Sequence, residues 1–367
     1  MQDKEDEKCK SRMKRPVKVL LIFLLIAVAV GILFKFIMFP PYDAPAVSGN
    51  HKVLIKEYTW VDENRVEAFT DSGENRELTV KFWYPEEDGS YPLVIFSHGA
   101  FGVIDSNYST CMELASNGYV VASIGHTYHA MYVKNVKGKV FLADKEFMQS
   151  VFVGNGRYDP ELERQFYENS LAWMELRTGD ENFVLDTILE KANKGEEDPF
   201  CLIDADKIGL MGHSMGGASS VALGRERTDI DAVIDLEGTM LGEYTGFENG
   251  IEIYNKEPYP VPVLDVFGAR LYDEIKMPED FEEKHHDWQY VNFYVGEHAA
   301  DYMAVAFRDT GHLNFTDLPL ASPLLAKLMG VGEVDAKSCM ENVNAIVLEW
   351  FDHYLKGNSK LDIEPEY

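Results

Sequence analysis

A serine lies in a setting that favours nucleophilic chemistry. Gly212, Ser214 and Gly216 fit the pattern Gly-x-Ser-x-Gly, between an apolar run (Ile208–Met211) and a stretch of small residues. A strand that turns sharply into a helix strains the residue at the turn, so the residues two positions away must lack bulk. The sequence predicts Ser214 as a nucleophile. The amide of Met215, at the helix N-terminus, is predicted to be one donor to a developing oxyanion.

A serine hydroxyl needs a base to accept its proton. Of the ten histidines, His312 comes late in the chain, follows a predicted strand (Met303–Phe307) and adjoins Gly311. These features predict His312 as the base. His98 and His213 lie in turns beside the predicted site, where they are expected to hold loop geometry.

Chain order leaves open which carboxylate orients His312. Asp235 lies in the run Ala-Val-Ile-Asp-Leu-Glu-Gly, and Asp273 lies past the following strand. Both positions suit an acid in this architecture, whereas Glu237 and Asp265 fit chain order less well.

The second oxyanion donor is expected early in the chain. The run Phe-Ser-His-Gly-Ala-Phe-Gly follows a predicted buried strand, Leu93–Phe96, and its glycines let the backbone approach a substrate. The amide of Ala100 or of Phe101 is the natural donor. The resulting ester chemistry requires no metal or organic cofactor.

The elements that must position these residues alternate between strand and helix. This alternation predicts an α/β fold, with a mainly parallel sheet covered by helices on both faces and the chemistry at the carboxyl ends of the strands. The segment from about 129 to 169 is long and rich in aromatic residues, which is typical either of a substrate wall or of extra packing. Strands are predicted at His51–Tyr58, Glu77–Trp83, Leu93–Phe96, Tyr119–Ile124, Ile208–Met211, Ala232–Leu236, Val261–Phe267 and Met303–Phe307, and helices at Tyr108–Asn117, Ser170–Ala192, Ser214–Leu223 and Asn344–Leu355.

The N-terminal region predicts an uncleaved membrane anchor. Residues 17–39 are almost entirely apolar, and basic residues precede them. Their length matches a transmembrane helix, and the basic flank favours a cytoplasmic tail at residues 1–16. A linker at residues 40–50 and an extracytoplasmic catalytic domain at residues 51–367 would follow. A cleaved signal peptide is the alternative.

The net charge limits the classes of partner, and the cysteine content limits the number of disulfides. The chain has 367 residues and a formal net charge of −28, which argues against binding to nucleic acid. Three of the four cysteines (Cys111, Cys201 and Cys339) would be extracytoplasmic, so at most one disulfide could form there. The sequence does not indicate an oligomeric state.

Five stretches together resemble the plasma and isoform II group of the platelet-activating factor acetylhydrolase family of α/β-hydrolases. They are Pro92–Gly99 with Tyr108–His126, Arg177–Ile188, Gly209–Ala218, Ala232–Met240 and Gly311–Asp317. The family's tryptophan after the acid strand is replaced here by Gly238, and its His-Arg-Asp motif reads His126-Thr127-Tyr128.

The resemblance implies a calcium-independent serine ester hydrolase that removes short or oxidised acyl groups from phospholipids. It implies Ser214 as nucleophile, Asp235 as acid and His312 as base, with the amides of Ala100 and Met215 as the oxyanion hole. General carboxylesterases, polyester hydrolases and amidases could use the same triad. A non-enzymatic surface protein on the same fold is the remaining alternative.

Overall fold

The computed structural model describes residues 15–153, 159–268, 290–358 and 360–367. Its strands are β1 (Val53–Val66), β2 (Asn75–Pro85), β3 (Tyr91–Ser97), β4 (Val120–Gly125), β5 (Tyr132–Lys134), β6 (Val140–Leu142), β7 (Ile203–His213), β8 (Ala232–Leu236), β9 (Tyr244–Glu248), β10 (Ile251–Tyr254), β11 (Val263–Gly268) and β12 (Tyr302–Phe307). Its helices are α1 (Arg15–Met38), α2 (Tyr108–Ser116), α3 (Lys145–Val153), α4 (Pro160–Asn193), α5 (Met215–Glu226), α6 (Tyr290–His298), α7 (Leu318–Ala321), α8 (Pro323–Leu328) and α9 (Ala336–Lys356).

A central sheet of eight strands has the order β1-β2-β4-β3-β7-β8-β11-β12. The first two strands in this order pair antiparallel to their neighbours, and every pair from β4 to β12 is parallel. This arrangement confirms the predicted α/β fold with a mainly parallel sheet. The carboxyl ends of β3, β7, β8 and β12 therefore lie along one edge, where the predicted site residues follow them.

The sheet is buried on both faces. In β3, Leu93 and Ile95 pack into the core beneath α4 and α5, while Val94 and Phe96 pack into the core beneath α2 and α9. Alternate side chains of a strand point to opposite faces, so one apolar run serves two cores. This is why the short runs predicted as buried strands carry no polar alternation.

Helix α4 begins ten residues before the predicted start, at Pro160 rather than Ser170. Asp159 caps it by accepting a hydrogen bond from the amide of Glu161, and proline suits the first helical turn. The described part of segment 129–169 therefore consists of the β5–β6 hairpin, α3 and the first turns of α4.

Helix α1 lies at the N-terminal end of the described chain and exposes apolar side chains such as Leu24 and Phe34. At its C-terminal end, the Ser322 hydroxyl donates a hydrogen bond to the Met38 carbonyl. Among the helices of the described residues, none qualifies by length and apolar character as a membrane span. Most of the predicted cytoplasmic tail, residues 1–14, lies outside the described residues.

The two outer strands of the sheet are β1 and β12. Residues 365–367 lie along β12: the amide of Ala306 donates to the Pro365 carbonyl, and the amide of Tyr367 donates to the Ala306 carbonyl. The ring of Tyr367 also stacks on Phe307, with ring centroids 5.1 Å apart.

Candidate active site

Ser214 stands alone between β7 and α5, in the sharp turn that the sequence predicts. Its φ is 55° and its ψ is −125°, a strained conformation for a residue with a side chain. A methyl group on Gly212 would lie 2.1 Å from the carbonyl carbon of Gly216. One on Gly216 would lie 2.0 Å from the Ser97 carbonyl oxygen. Both glycines are therefore required for the turn to pack against the sheet.

The loop after β3 packs directly against this turn. A methyl group on Gly99 would lie 3.1 Å from the Cβ of Ser214. The amide of Phe101 donates to the His129 carbonyl at 3.0 Å. Among the described residues, the amides of Ala100 and Met215 have no hydrogen-bond partner. Of the two donors left open by the sequence, Ala100 is therefore the one free to bind a substrate oxygen.

The carboxylate that contacts His312 is that of Glu237. Its Oε2 lies 2.8 Å from His312 Nδ1, and its Oε1 accepts a hydrogen bond from the amide of Gly268 at 2.8 Å. The Glu237 side chain is almost fully buried, whereas about half of the His312 side chain is exposed. Glu237 thus has the geometry of a residue that fixes the imidazole tautomer, with Nδ1 protonated and Nε2 left to accept a proton.

Glu237 and Ser214 occupy equivalent positions on neighbouring strands. β7 and β8 pair in register up to His213 and Leu236, and each of the two functional residues comes next in its chain. The amide of Ser214 donates to the Leu236 carbonyl at 2.9 Å. Like Ser214, Glu237 has a positive φ, 56°. The sheet therefore holds Ser214 and Glu237 at the same level of its carboxyl edge.

The loop that carries His312 is fixed by Asn314 and His213. Buried Asn314 accepts hydrogen bonds from the amides of Gly311 and Gly332, each at 2.8 Å. His213 Nε2 lies 3.0 Å from the His312 carbonyl oxygen, and the two rings are 4.7 Å apart. Burial lowers the pKa of His213 to about 3, so this histidine stays neutral and serves as a hydrogen-bond donor to the loop.

Asp235 does not contact His312, contrary to the expectation from the resemblance. It lies within β8, fully buried, and its Oδ1 accepts a hydrogen bond from the amide of Gly238 at 2.8 Å. Burial raises the pKa of Asp235 to about 8. A residue inside the strand points into the core, and only a residue past the strand end can reach the loop of His312.

Asp265 is the neighbour of Asp235 across the strands, since the two are paired in the register of β11 and β8. Its Oδ2 accepts hydrogen bonds from Asn292 and Tyr302. The other oxygen of Asp265, and Oδ2 of Asp235, are buried without a partner among the described residues. Burial raises the pKa of Asp265 well above its ordinary value, and the Asp235 charge raises it further. At least one of these carboxyl groups is therefore protonated at neutral pH.

The alternative acid, Asp273, lies outside the described residues. In the described structure, His312 Nδ1, the atom that an orienting acid would contact, is hydrogen-bonded to Glu237.

A buried polar network supports the loop after β3. His126 Nδ1 lies 2.9 Å from Asp180 Oδ2, and its Nε2 lies 2.9 Å from the Ser97 hydroxyl. The Asp180 carboxylate also accepts two hydrogen bonds from Arg76, each at 2.6 Å. Desolvation lowers the pKa of His126 to about 3, so its ring is neutral. Buried hydrogen bonds and an ion pair therefore hold the end of β3 in place next to the turn of Ser214.

Helix α3 contacts the same loop through aromatic rings. Phe101 lies 5.3 Å from Phe147 and 6.0 Å from Phe152, measured between ring centroids. Phe147 also stacks on His129 at 3.7 Å. Phe147 is buried, whereas Phe152 is two-thirds exposed. Segment 129–169 therefore contributes both packing and an exposed aromatic ring next to the loop that follows β3.

A family model supports the assignment that the motifs suggested. The model for platelet-activating factor acetylhydrolase, isoform II, matches residues 58–165 and 194–364, more than half of the chain. The chain belongs to this family.

Curated relatives of the family are similar over part of their length. Platelet-activating factor acetylhydrolase of Cavia porcellus is 24% identical over 280 residues, which span 74% of this chain and 59% of the relative. The Bos taurus enzyme is 28% identical over 180 residues, which span 47% and 39%. Among solved structures, the ferulic acid esterase from Streptomyces cinnamoneus has a TM-score of 0.63 and 23% identity, and the match covers 87% of this chain and 94% of the esterase. This last likeness concerns the fold.

The carboxylate that contacts His312 thus lies two residues after Asp235, the position that the resemblance implied. The strand boundary is the signal that could have found it: β8 ends at Leu236, and functional residues in parallel sheets follow the strand end. The sequence also indicated no role for Arg177. It lies in a motif shared with the family, and its contact with the loop after β3 joins residues 79 positions apart.

Proposed function

We propose that this chain is a serine carboxylic ester hydrolase that works through an acyl-enzyme. The observation that carries the proposal is the convergence of five groups at one sheet edge: the strained Ser214, the bonded pair of His312 and Glu237, and the two free amides. The family membership and the fold shared with an esterase agree with it.

In this mechanism, His312 Nε2 accepts the proton of the Ser214 hydroxyl as the serine oxygen attacks the ester carbonyl carbon. The amides of Ala100 and Met215 donate to the carbonyl oxygen as it gains negative charge. Protonated His312 then gives its proton to the leaving alcohol, and Glu237 stabilises the charge on the ring. Water, activated by His312, cleaves the acyl-enzyme in the same way. Ser214 and His312 share no hydrogen bond in the described structure, and this contact would form when substrate binds.

The substrate class follows from the family and from the aromatic ring beside the loop after β3. Relatives bear the name platelet-activating factor acetylhydrolase, so we propose short or modified acyl esters, phospholipid sn-2 acyl groups among them. Phe152 is exposed and stacks near Phe101, one residue from the free amide of Ala100. Its ring is suited to contact the acyl chain of a bound ester.

The reaction class is tested with a nucleophile variant and a matched control. Ser214→Ala should lower turnover of p-nitrophenyl acetate by several orders of magnitude. Ser220→Ala, in helix α5 just after Ser214, should keep wild-type turnover because its buried hydroxyl has no partner among the described residues. The matched p-nitroanilide separates an esterase from an amidase. Near-normal ester turnover by Ser214→Ala would overturn the proposal.

The acyl-chain contact is tested with a series of p-nitrophenyl esters of increasing acyl length. Phe152→Ala should lower kcat/KM for hexanoyl esters several-fold relative to acetyl esters, since each methylene no longer buried is worth about 0.8 kcal/mol. Leu142→Ala, at an equally exposed position of the β5–β6 hairpin, is the control. An unchanged acyl-length preference in Phe152→Ala would restrict this segment to packing.

We also propose, on the sequence alone, that residues 17–39 anchor the protein in a cell membrane with the catalytic domain on the extracytoplasmic side. The support is the apolar run and the basic residues before it. Because no described helix qualifies as a span, the fold adds nothing to this proposal. Protease added to intact cells should digest the domain beyond Pro40, and an intact domain would contradict the orientation.

A further inference from the structure

Arg177 is a fully buried cation in the middle of α4. Among the described residues, no carboxylate forms an ion pair with its guanidinium, and Asp180 and Glu181 act on its charge only from a longer distance. It differs in this from Arg76, the other buried arginine of the network, which pairs with Asp180 and Glu67. An unpaired buried charge is costly. The hydrogen-bond partners of the guanidinium therefore indicate the role of this buried charge.

All the hydrogen bonds of Arg177 go to the loop after β3 or to the residue that supports it. Nη1 donates to the His98 carbonyl at 2.8 Å, and Nη2 donates to the Gly99 carbonyl at 3.4 Å. Nε donates to His129 Nδ1 at 3.2 Å. The His129 carbonyl in turn accepts the amide of Phe101.

The Gly99 carbonyl belongs to the peptide unit that carries the Ala100 amide. In a trans peptide the C=O and N–H bonds point in opposite directions, so fixing the oxygen fixes the amide. This oxygen accepts three hydrogen bonds: from Arg177, from His98 Nδ1 at 2.7 Å and from the Gly102 amide at 3.0 Å. The N–H bond of Ala100 therefore points away from the three donors that bind the Gly99 carbonyl oxygen.

The charge of Arg177 acts on the same peptide. Although burial lowers the pKa of Arg177 to about 9, the guanidinium remains protonated at neutral pH. A cation that binds a carbonyl oxygen polarises the whole peptide, which makes its N–H a stronger donor. Fixed positive charge in a water-excluded site also favours the negative charge that develops on the substrate oxygen.

We propose that Arg177 is a positioning residue for the oxyanion hole, which holds the carbonyls of His98 and Gly99 so that the Ala100 amide is oriented and strengthened as a donor. This inference rests on the proposed ester hydrolase function. It assigns to α4 a part in transition-state stabilisation without contact with the substrate.

The test compares Arg177→Met and Arg177→Lys with Arg225→Met. Arg225 bonds Glu243 and two backbone carbonyls far along the chain from this loop, so it controls for the loss of a mostly buried arginine. Active sites are counted with a fluorophosphonate, and kcat and KM are measured with p-nitrophenyl acetate. A trifluoromethyl ketone, which binds as a tetrahedral adduct, reports oxyanion stabilisation by its inhibition constant.

For Arg177→Met, kcat per active site should fall about 100-fold, as for the loss of an oxyanion donor. KM should change less than about threefold. The affinity for the ketone should fall by the same factor as kcat/KM. Arg177→Lys, which keeps the charge but binds one carbonyl, should lose about tenfold. Arg225→Met should match the wild type. If Arg177→Met does not fold, Arg177→Lys decides the question.

Wild-type kcat per active site in a folded Arg177 variant would overturn the inference, as would a loss confined to KM or an unchanged affinity for the ketone. These results differ from a failure of the proposed function, in which the wild-type protein itself would not hydrolyse esters or Ser214→Ala would remain active.

Discussion

Two carboxylates two residues apart at the end of β8 have opposite environments. Asp235 lies inside the sheet beside Asp265, where two carboxyl oxygens are buried without a partner in the described part of the chain. Glu237 lies just past the strand end, where both of its oxygens are bonded, one to a backbone amide and one to His312. The same side-chain chemistry is thus kept partly protonated in one place and hydrogen-bonded to a histidine in the other. Position relative to the strand end decides which.

The sharpest way to test this comparison is to remove the charge of Glu237. Glu237→Gln keeps the volume, but an amide nitrogen facing His312 Nδ1 favours the tautomer that cannot accept the serine proton. We expect kcat for p-nitrophenyl acetate to fall about 10⁴-fold, with the fold retained. A fall of less than tenfold would show that His312 is oriented by another acid, Asp273 being the first to test.

A smaller effect is expected from the loop that holds His312. Asn314→Ala leaves the partly buried amides of Gly311 and Gly332 without their acceptor. Each lost partner costs about 1–3 kcal/mol, so the midpoint of thermal unfolding should fall by several degrees. The activity per folded molecule should fall by about tenfold, because a displaced general base transfers protons less efficiently. Unchanged stability and activity would show that the loop needs no such support.

The smallest effect on activity is expected at Asp235. Asp235→Asn retains the acceptor for the Gly238 amide and supplies a donor on the side of the unpartnered carboxyl oxygens. We expect kcat within about threefold of the wild type. A loss comparable to that of Glu237→Gln would return the acid role to Asp235, in line with the resemblance.

The same variant should change how stability depends on pH. The pKa of Asp235 is raised to about 8 in the folded protein, above its ordinary value of 3.8. The folded state therefore binds the proton more tightly than the unfolded state. The resulting stabilisation is complete below about pH 4 and is lost as pH rises towards about 8. In Asp235→Asn, unfolding measured in urea should show a flatter pH dependence across this window. An equally steep dependence would assign it to other groups.

The sequence predicted those parts of the site that local backbone geometry determines. The elbow around Ser214 follows from the placement of its glycines, and the loops after β3 and β12 follow from apolar runs ended by glycine. The fold class followed from the alternation of strands and helices. The elbow and the two loops are each encoded by a short stretch of neighbouring residues, whereas the fold class is encoded by the order of elements along the chain.

What the sequence could not determine depends on contacts between residues far apart in the chain. The end of β8 at Leu236 was predicted correctly, but the choice between Asp235 and Glu237 depends on which side chain contacts His312, 75 positions after Glu237. The contact of Arg177 with Gly99 joins residues 78 positions apart. Likewise, whether Phe147 or Phe152 is buried depends on how α3 packs, because their chemistry is the same.

The pairing of residues 365–367 with β12 has a consequence for self-association. An outer strand with free amides and carbonyls can recruit a strand from another molecule, which is a route to aggregation. Here the amide of Ala306 is bonded to the Pro365 carbonyl, and the carbonyl of Ala306 is bonded to the Tyr367 amide. At the opposite edge, β1 has no such cover among the described residues but includes charged side chains such as Lys56 and Glu57. Colloidal stability therefore has a different origin at each edge of the sheet, backbone pairing at one and charge at the other.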